Sequence, residues 1–346
     1  MSDTSQLTAD PAAPELQSKR AAPRLRLGNY RDLSLIPVIL IVGVVGFIVS
    51  PTFLTSDNLI GVLQQCSELS LLVLGEAMIL ILGRMDLSLE STIGVAPVIA
   101  MWLVMPSTGS ATYHGIGALP GWMSIPLCLL VGVLVGGFNG FMILRLRVNG
   151  FIATLGMLTM LRGLQVGISQ GKSIVEVPKS FSYLGGATWL GAPAAIWLCL
   201  VLFVAGGLGL GYMRHGRALY AIGGNKEAAR AAGIRVDLIT WTVLIIASVL
   251  AAFAGILYVG HYGAISSTQG QNWIFQVFAA TVIGGVSLNG GRGTLFGALT
   301  GVVALQLVVN VMTLGGVPPL WDQFLYGAII IVALIISRFA SGEQED

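Results

Sequence analysis

Charged residues are scarce in this chain of 346 residues. Asp, Glu, Lys and Arg make up 10% of it, whereas 55% is hydrophobic and the mean hydropathy is +0.85. A soluble domain has about 25% charged residues, with which it coats its surface. The composition therefore excludes an ordinary soluble domain and indicates a protein whose solvent is largely lipid.

Cysteine and histidine are also rare, at three residues each. Cys66, Cys128 and Cys199 stand apart in apolar runs, without a Cys-x-x-Cys pair or a Cys/His cluster. Such cysteines usually behave as small buried hydrophobes, and we expect no metal site.

Ten apolar stretches follow one another along the chain. A helix rises about 1.5 Å per residue, so about 20 apolar residues cross the hydrocarbon core of a bilayer. Backbone groups in lipid must be satisfied internally, so each span must be a helix. The sequence predicts an all-α fold, a polytopic integral membrane bundle of about ten transmembrane helices. The predicted spans are residues 34–50, 59–82, 88–105, 122–144, 151–170, 194–213, 238–259, 274–289, 294–314 and 322–337.

The positions of Lys and Arg orient this bundle. If both termini are cytoplasmic, fifteen of the eighteen basic residues fall in the tails or in the inner loops. The positive-inside rule requires this asymmetry. We expect a disordered cytoplasmic tail over 1–32, a transmembrane domain over 33–338 and a C-terminal tail over 339–346. The predicted inner loops are 83–87, 145–150, 214–237 and 290–293.

The longest inner loop, 214–237, contains a short predicted helix with both ends marked. Asn225 is a suitable N-cap, and Glu227 lies in the first turn, where the helix dipole favours an anion. Alanines follow, and Gly233 can adopt the left-handed conformation that ends a helix. This segment is either a loop with incidental helix propensity or a rigid element that docks in a cleft of a partner protein.

Three stretches, in order, resemble the bacterial ribose/xylose/arabinose-type ABC sugar permeases. Residues 221–234 (AIGGNKEAARAAGI) resemble the loop with which that family contacts its ATPase subunit. Residues 83–91 (GRMDLSLES) and 282–294 (VIGGVSLNGGRGT) resemble two of its glycine-rich stretches. The resemblance covers roughly residues 35–337. The coupling-loop candidates are Tyr220, Gly223, Gly224, Asn225, Glu227, Ala228, Ala229 and Gly233.

This resemblance implies a permease in the bacterial inner (plasma) membrane that crosses it several times. It also implies a cytoplasmic ATP-binding subunit, a periplasmic substrate-binding protein and a second permease copy or paralogue as partners. No cofactor is implied for the chain itself, because ATP would bind to the partner, and nucleic acid is not expected. Arg84 and Glu90 replace glycines of the family pattern and add charge at the predicted cytoplasmic end, so local gating should differ from that of a typical member.

The stretches 83–91 and 284–294 also resemble each other. Both join an inward-running span to an outward-running one, and both are rich in small residues. They are either tight turns that need glycine or glycine-rich breaks that lie near the pathway, as in many transporters. We predict that they form the inner gate. The candidates are Gly83, Asp86, Ser88, Gly284, Gly285, Ser287, Gly291 and Arg292.

Polar residues within the spans need an explanation, since an ionisable group at the bilayer centre costs about 2.5–3.5 kcal/mol on insertion scales. Glu76 and Arg162 could form a structural ion pair. Alternatively, the polar residues could line a path whose donors and acceptors replace the water around a polyhydroxylated solute. The path candidates are Gln64, Glu68, Glu76, Asn139, Arg162, Gln165, Gln276 and Asn310.

We expect no ATPase site in this chain. Residues 167–173 approach a phosphate loop but lack its first glycine, since position 166 is Val, and they lie on the predicted outer side. The sequence thus predicts a permease, driven by a separate ATPase, for a monosaccharide or similar small polar solute. The alternatives are an ion-coupled secondary transporter, with Glu68 and Glu76 as coupling carboxylates, and a passive channel. A docking helix in 214–237 favours the ATP-driven importer.

Overall fold

The computed structural model describes residues 35–107, 113–117 and 119–341. The predicted tail over 1–32 lies outside them. The described chain is almost entirely helical. Its helices are α1 (Ile36–Val49), α2 (Ser56–Ile81), α3 (Leu89–Val104), α4 (Ser124–Gly140), α5 (Gly150–Ser169), α6 (Lys179–Gly186), α7 (Ala194–Tyr212), α8 (Arg214–Gly224), α9 (Lys226–Ala231), α10 (Val236–Tyr262), α11 (Trp273–Ile283), α12 (Leu295–Leu314) and α13 (Asp322–Ser341).

Each of the ten predicted spans coincides with a helix, but the helices are not equally long. Six helical segments of the described chain are long and apolar enough to cross a membrane: α2, α4 with its flanking turns, α5, α7, α10 and α12. The apolar parts of α1, α3, α11 and α13 are shorter. The predicted all-α membrane architecture is therefore confirmed, and ten full crossings remain a prediction. α13 runs to Ser341, past the predicted start of the C-terminal tail.

The predicted eighth span, residues 274–289, is wrong at its C-terminal end. Helix α11 ends at Ile283 and is followed by Gly284 and Gly285. Gly285 has a φ of +80°, which a residue with a Cβ adopts only under strain. The chain therefore leaves the helix here and forms an irregular turn before α12.

Helix α10 lies at the centre of the bundle and packs against α2, α3, α4 and α6. Its contact with α4 depends on small residues, because lipid supplies no hydrophobic drive for helix association. A Cβ at Gly136 of α4 would lie 2.5 Å from the carbonyl oxygen of Leu244. A Cβ at Gly132 would lie 2.7 Å from that of Ser248. The two backbones are thus in direct contact.

The two ends of the bundle differ. One end carries α8 and α9, and we call it the loop end. The far end carries α6 and a two-residue hairpin, in which β1 (Thr188–Trp189) pairs antiparallel with β2 (Ala192–Pro193). Leu190 and Gly191 form the turn, with φ values of +51° and +83°. This small cap covers the C-terminal end of α10, where Gly185 of α6 packs against its backbone.

Replacing Gly136 with Leu should disrupt the contact between α4 and α10. Overpacking at a site without free space typically costs about 1–3 kcal/mol, and the backbone contact makes the upper end of that range appropriate. We expect a lower melting temperature in detergent and less protein in the membrane. Gly137→Leu is the matched control, because no atom lies within 4 Å of a Cβ built at Gly137. Equal stability of the two variants would contradict the packing described here.

Candidate functional site

The short helix predicted in the loop 214–237 is confirmed. Helix α9 begins at Lys226, and Asn225 caps it by accepting a hydrogen bond from the Ala228 backbone N–H at 2.9 Å. Gly233 follows the helix with a φ of +79°, as the left-handed ending requires. Ala229 faces the protein, whereas Glu227 and Ala228 are exposed.

A second helix in the same loop, α8, was not predicted. It is an amphipathic helix of 11 residues that buries Leu219 and Ile222, three positions apart. That spacing is the signal from which it could have been found. Together, α8 and α9 form a rigid pair at the loop end of the bundle.

We call the stretch 83–91, which connects α2 to α3, the first hairpin, and the stretch 284–294, which connects α11 to α12, the second hairpin. Four glycines join the pair of α8 and α9 to both of these hairpins. A Cβ at Gly223 of α8 would overlap the carbonyl oxygen of Ile81 and the backbone nitrogen of Gly291. The Gly291 N–H donates a hydrogen bond to that same carbonyl oxygen at 2.9 Å. A Cβ at Gly290 would lie 2.8 Å from Cα of Gly83. We call Gly83, Gly223, Gly290 and Gly291 the glycine junction.

Tyr220 strengthens this contact. Its hydroxyl donates a hydrogen bond to the carbonyl oxygen of Gly293 at 2.9 Å, so α8 is tied to the hairpin that precedes α12. The three stretches quoted above therefore meet at the loop end, although up to about 200 residues separate them in sequence. A displacement of α8 would act on both hairpins at once, because all three backbones are in contact.

Arg84 lies beside the glycine junction and lines a cavity of about 250 Å³ with Met85 and Phe151. Burial lowers the pKa of its guanidinium, and the nearby carboxylate of Asp237 opposes that shift. This cationic side chain, which replaces a glycine of the family pattern, thus lies between the first hairpin and the start of α5.

The first hairpin is held by a buried polar cluster. The carboxylate of Asp86 accepts hydrogen bonds from the Ser88 N–H at 2.9 Å, the Ser88 hydroxyl at 2.6 Å and the Asn139 amide at 3.1 Å. Asn139 also donates to the Ser88 hydroxyl at 2.8 Å, and all three residues are fully buried. The cluster ties the connection between α2 and α3 to α4. Glu76 joins it, since its Oε1 accepts from the Asp86 N–H at 3.4 Å.

The second hairpin is built differently. Its Ser287 N–H donates to the carbonyl oxygen of Arg292 at 3.0 Å, which closes the turn. Ser287 is half-buried and Arg292 is exposed, and within the described chain neither forms a hydrogen bond or ion pair with Asp86 or Ser88. The four residues assigned to one inner gate are therefore divided between two hairpins, which meet through the glycine junction.

The predicted ion pair between Glu76 and Arg162 is wrong. Arg162 of α5 pairs with Glu90 of α3, with 2.5 Å between Nη2 and Oε1. Glu90 was also expected to add charge at the cytoplasmic end, but the structure buries it, with 5% of its surface exposed. Its other oxygen, Oε2, accepts from the backbone N–H of Ile274 in the first turn of α11 at 3.2 Å.

The N-termini of the two short helices α3 and α11 therefore meet at one carboxylate. They start inside the bundle: the Ser91 hydroxyl donates to the carbonyl oxygen of Leu158, which lies about 12 Å along α5 from its start at Gly150. From this point α3 runs towards the far end, and α11 runs towards the loop end. Discontinuous helices of this kind mark the central sites of many transporters, and a helix N-terminus attracts negative charge.

The remaining path candidates form separate contacts, not one continuous row. Gln165 donates to the carbonyl oxygens of Ser266 and Gln269, and so supports the segment that leads into α11. Gln276 is half-buried, and its side chain forms no hydrogen bond within the described chain. The other contacts are Gln64 with the carbonyl oxygen of Gly185, Glu68 with His261, and Asn310 with Asn58.

A family model described as "branched-chain amino acid transport system / permease component" matches residues 58–334. This range contains both hairpins, the glycine junction and the pair of Glu90 and Arg162. No solved structure gives a significant match to the chain.

Curated relatives match over almost the whole chain. The ribose import permease protein of Haemophilus influenzae is 29% identical over 93% of this chain and 98% of its own length. The corresponding protein of Escherichia coli (strain K12) is 30% identical over 88% of this chain and 92% of its own length. The L-arabinose ABC transporter permease protein of Azospirillum brasilense is 31% identical over 85% of this chain and 84% of its own length.

The family match and the six span-length helices place the chain in the bacterial inner membrane as a multi-pass protein. The three motifs that carried the resemblance lie in the matched range and meet in space. The chain therefore belongs to the family of branched-chain amino acid transport system permease components, and it is the permease component of an ABC importer.

Proposed function

We propose that this permease moves a monosaccharide or a similar small polar solute into the cytoplasm and is energised by a separate ATPase subunit. The family description mentions branched-chain amino acids, but relatives that match 84–98% of their own length import ribose or are named for L-arabinose. A further relative, from Klebsiella pneumoniae and 31% identical, is named for autoinducer 2. Those names favour a hydroxylated solute.

The glycine junction is the observation that carries this proposal. It connects the exposed helix α9 to the two hairpins through α8, without a flexible linker between them. An ion-coupled carrier or a passive channel has no need for a projecting helix whose motion reaches the membrane helices. An importer driven from outside the membrane requires such an element.

The loop end is the cytoplasmic end in this proposal, and both chain termini are cytoplasmic. The charge distribution supports this orientation, because the inner loops and tails carry most Lys and Arg residues. Helix α9 then projects towards the cytoplasm with the small exposed side chains of Ala228, Ala231 and Ala232. A cleft in the ATPase subunit accommodates this helix, and α8 transmits the motion to the hairpins.

Three partners complete the importer. Permease components of ABC importers work in general with an ATPase subunit and a substrate-binding protein, and this chain requires both. We further propose that a second permease copy or paralogue pairs with it, so that the solute passes between the two. The chain itself has no ATPase site and takes its energy from the partner.

The transported class is tested by uptake in cells that express this chain together with its cognate ATPase subunit and binding protein. We expect ATP-dependent accumulation of at least one labelled pentose or hexose, such as ribose, arabinose or xylose. Labelled leucine should not accumulate above the level of cells that lack the chain. Accumulation of leucine without any sugar would overturn the proposed solute class. Uptake that survives ATP depletion but collapses with an uncoupler would overturn the energy source.

Replacing Ala228 with Arg should uncouple the ATPase from transport. Ala228 is exposed, so a large cation there obstructs docking without disturbing the fold; we expect uptake and binding of the ATPase subunit to fall by at least about tenfold. The measurements are uptake and co-purification with the ATPase subunit. Thr188→Arg at the exposed β1 position of the far end is the control and should retain binding of the ATPase subunit. Normal docking in the Ala228 variant would remove α9 from the coupling mechanism.

Replacing Asp86 with Ala should abolish uptake and also destabilise the protein. The change leaves the hydrogen-bond donors of Ser88 and Asn139 without their buried acceptor, which costs about 3 kcal/mol. Thermal unfolding in detergent and uptake measure the two effects. Asp57→Ala, at an exposed position in the first turn of α2, should change neither by much. A variant at Asp86 with wild-type uptake and melting temperature would exclude this cluster from the gate.

A further inference from the structure

An unexplained acidic group lies in the half of the bundle away from the loop end. Glu68 of α2 is 1% exposed, and its Oε1 lies 2.6 Å from Nδ1 of His261 in the last turn of α10. A buried carboxylate in a membrane bundle is costly and is usually functional. Glu68 contributes neither to the glycine junction nor to the Asp86 cluster, so neither feature explains why a carboxylate is buried here.

Aromatic rings surround this pair. Tyr258 contacts Tyr262 at a centroid distance of 4.4 Å and the ring of Trp273 edge-on at 5.5 Å. His261 lies 4.4 Å from Tyr262. Tyr262 is 54% exposed, and the other three rings are half-buried. The cluster therefore has an exposed aromatic side and a carboxylate, that of Glu68, buried beneath it.

The polar atoms of this cluster are largely unused. In the described chain, the structure gives no hydrogen-bond partner to Oε2 of Glu68, to the hydroxyls of Tyr258 and Tyr262 or to the indole N–H of Trp273. Polar groups that face the hydrocarbon without a partner cost several kcal/mol each. An open surface with this many free donors and acceptors is suited to water or to a polar solute, not to lipid tails.

We propose that Glu68, Tyr258, His261, Tyr262 and Trp273 form a subsite that a sugar ring contacts on its way through the permease. A sugar has an apolar C–H face, which packs against aromatic rings, and hydroxyls, which bond to carboxylate and imidazole groups. The cluster offers both kinds of contact within one turn of α10 and the start of α11. This inference rests on the proposed function, because it takes the solute to be a sugar.

The location suits a solute in transit. α10 ends at Tyr262, and Gly263 follows with a φ of +71°, so the cluster lies towards the far end. In the proposed orientation this is the side on which a binding protein delivers its cargo. Trp273 also begins α11, whose next residue, Ile274, donates to Glu90. The subsite is thus one residue away from the point where the two short helices meet.

Tyr262→Ala tests the subsite in the assembled importer with its ATPase and binding protein. The binding protein sets the affinity for the free solute, so the KM for uptake of labelled ribose, arabinose and xylose should stay within twofold. The kcat should fall by about three- to tenfold, as expected for the loss of one aromatic contact. The melting temperature in detergent is measured alongside, so that a loss of stability is distinguished from a loss of transport. Val201→Ala, at a 64% exposed position of α7, is the control.

Thiol labelling gives an independent test. Tyr262→Cys should react with a membrane-impermeant charged thiol reagent added to the far side, and ribose should slow that reaction. Val201→Cys should not react, since lipid covers that face of α7. The native cysteines are buried and give a low background.

The outcomes separate the two proposals. If the wild-type importer accumulates sugars but Tyr262→Ala has wild-type kcat and the Cys variant does not react, the subsite is overturned and the function stands. If the wild type accumulates no sugar at all, both proposals fail. A lower melting temperature in Tyr262→Ala, together with lower uptake, would assign the residue a structural role; Glu68→Gln, which keeps shape and volume, should then still lower kcat if the subsite is real.

Discussion

Three backbones are in direct contact at the glycine junction, and this close packing governs the loop end. Only glycine lets backbones approach so closely, because it has no Cβ. Here, the N–H of Gly291 bonds to the carbonyl oxygen of Ile81, and the absence of side chains lets Gly223 approach both. Any larger residue would separate the three backbones. The contact that shields the hairpins is thus the same contact that links them to the exposed helix pair.

At the centre of the bundle, charged side chains hold the helices together, in place of the backbone contacts of the loop end. Glu90 bonds to Arg162 and to the first turn of α11, so one carboxylate fixes the starting points of two short helices that run in opposite directions. A buried ion pair is weak evidence for stability, because desolvation offsets most of its attraction. The pair instead fixes positions. Loss of either partner would leave a charge uncompensated, and loss of Glu90 would also release the first turn of α11.

Much of this architecture could be predicted from the sequence, because its signals are local. Apolar length gave the ten helices, and Asn225 and Gly233 marked the ends of α9. The pairing of Arg162 with Glu90 could not be predicted, since it depends on the first turn of α3 lying level with Leu158, about 12 Å along α5 from its start. Hydropathy does not report that depth. The early end of α11 was missed because the apolar run continues past the glycines that break it.

The separation of the polar groups into small clusters has a physical reason in an importer supplied by a binding protein. A solute that is delivered already bound needs no deep, high-affinity site in the membrane, and tight binding there would slow its release. Weak contacts at successive depths lower the energy barrier to transport without binding the solute too tightly to release it.

The open aromatic cluster around Glu68 provides such a contact near the far end, and Glu90 lies at the next depth towards the loop end. Between that level and the loop end lies the Asp86 cluster, whose residues Asp86, Ser88 and Asn139 are fully buried and hydrogen-bonded to one another. If the solute passes this level, as the proposed inner gate requires, the first hairpin has to move, and the glycine junction would couple that movement to α8 and α9.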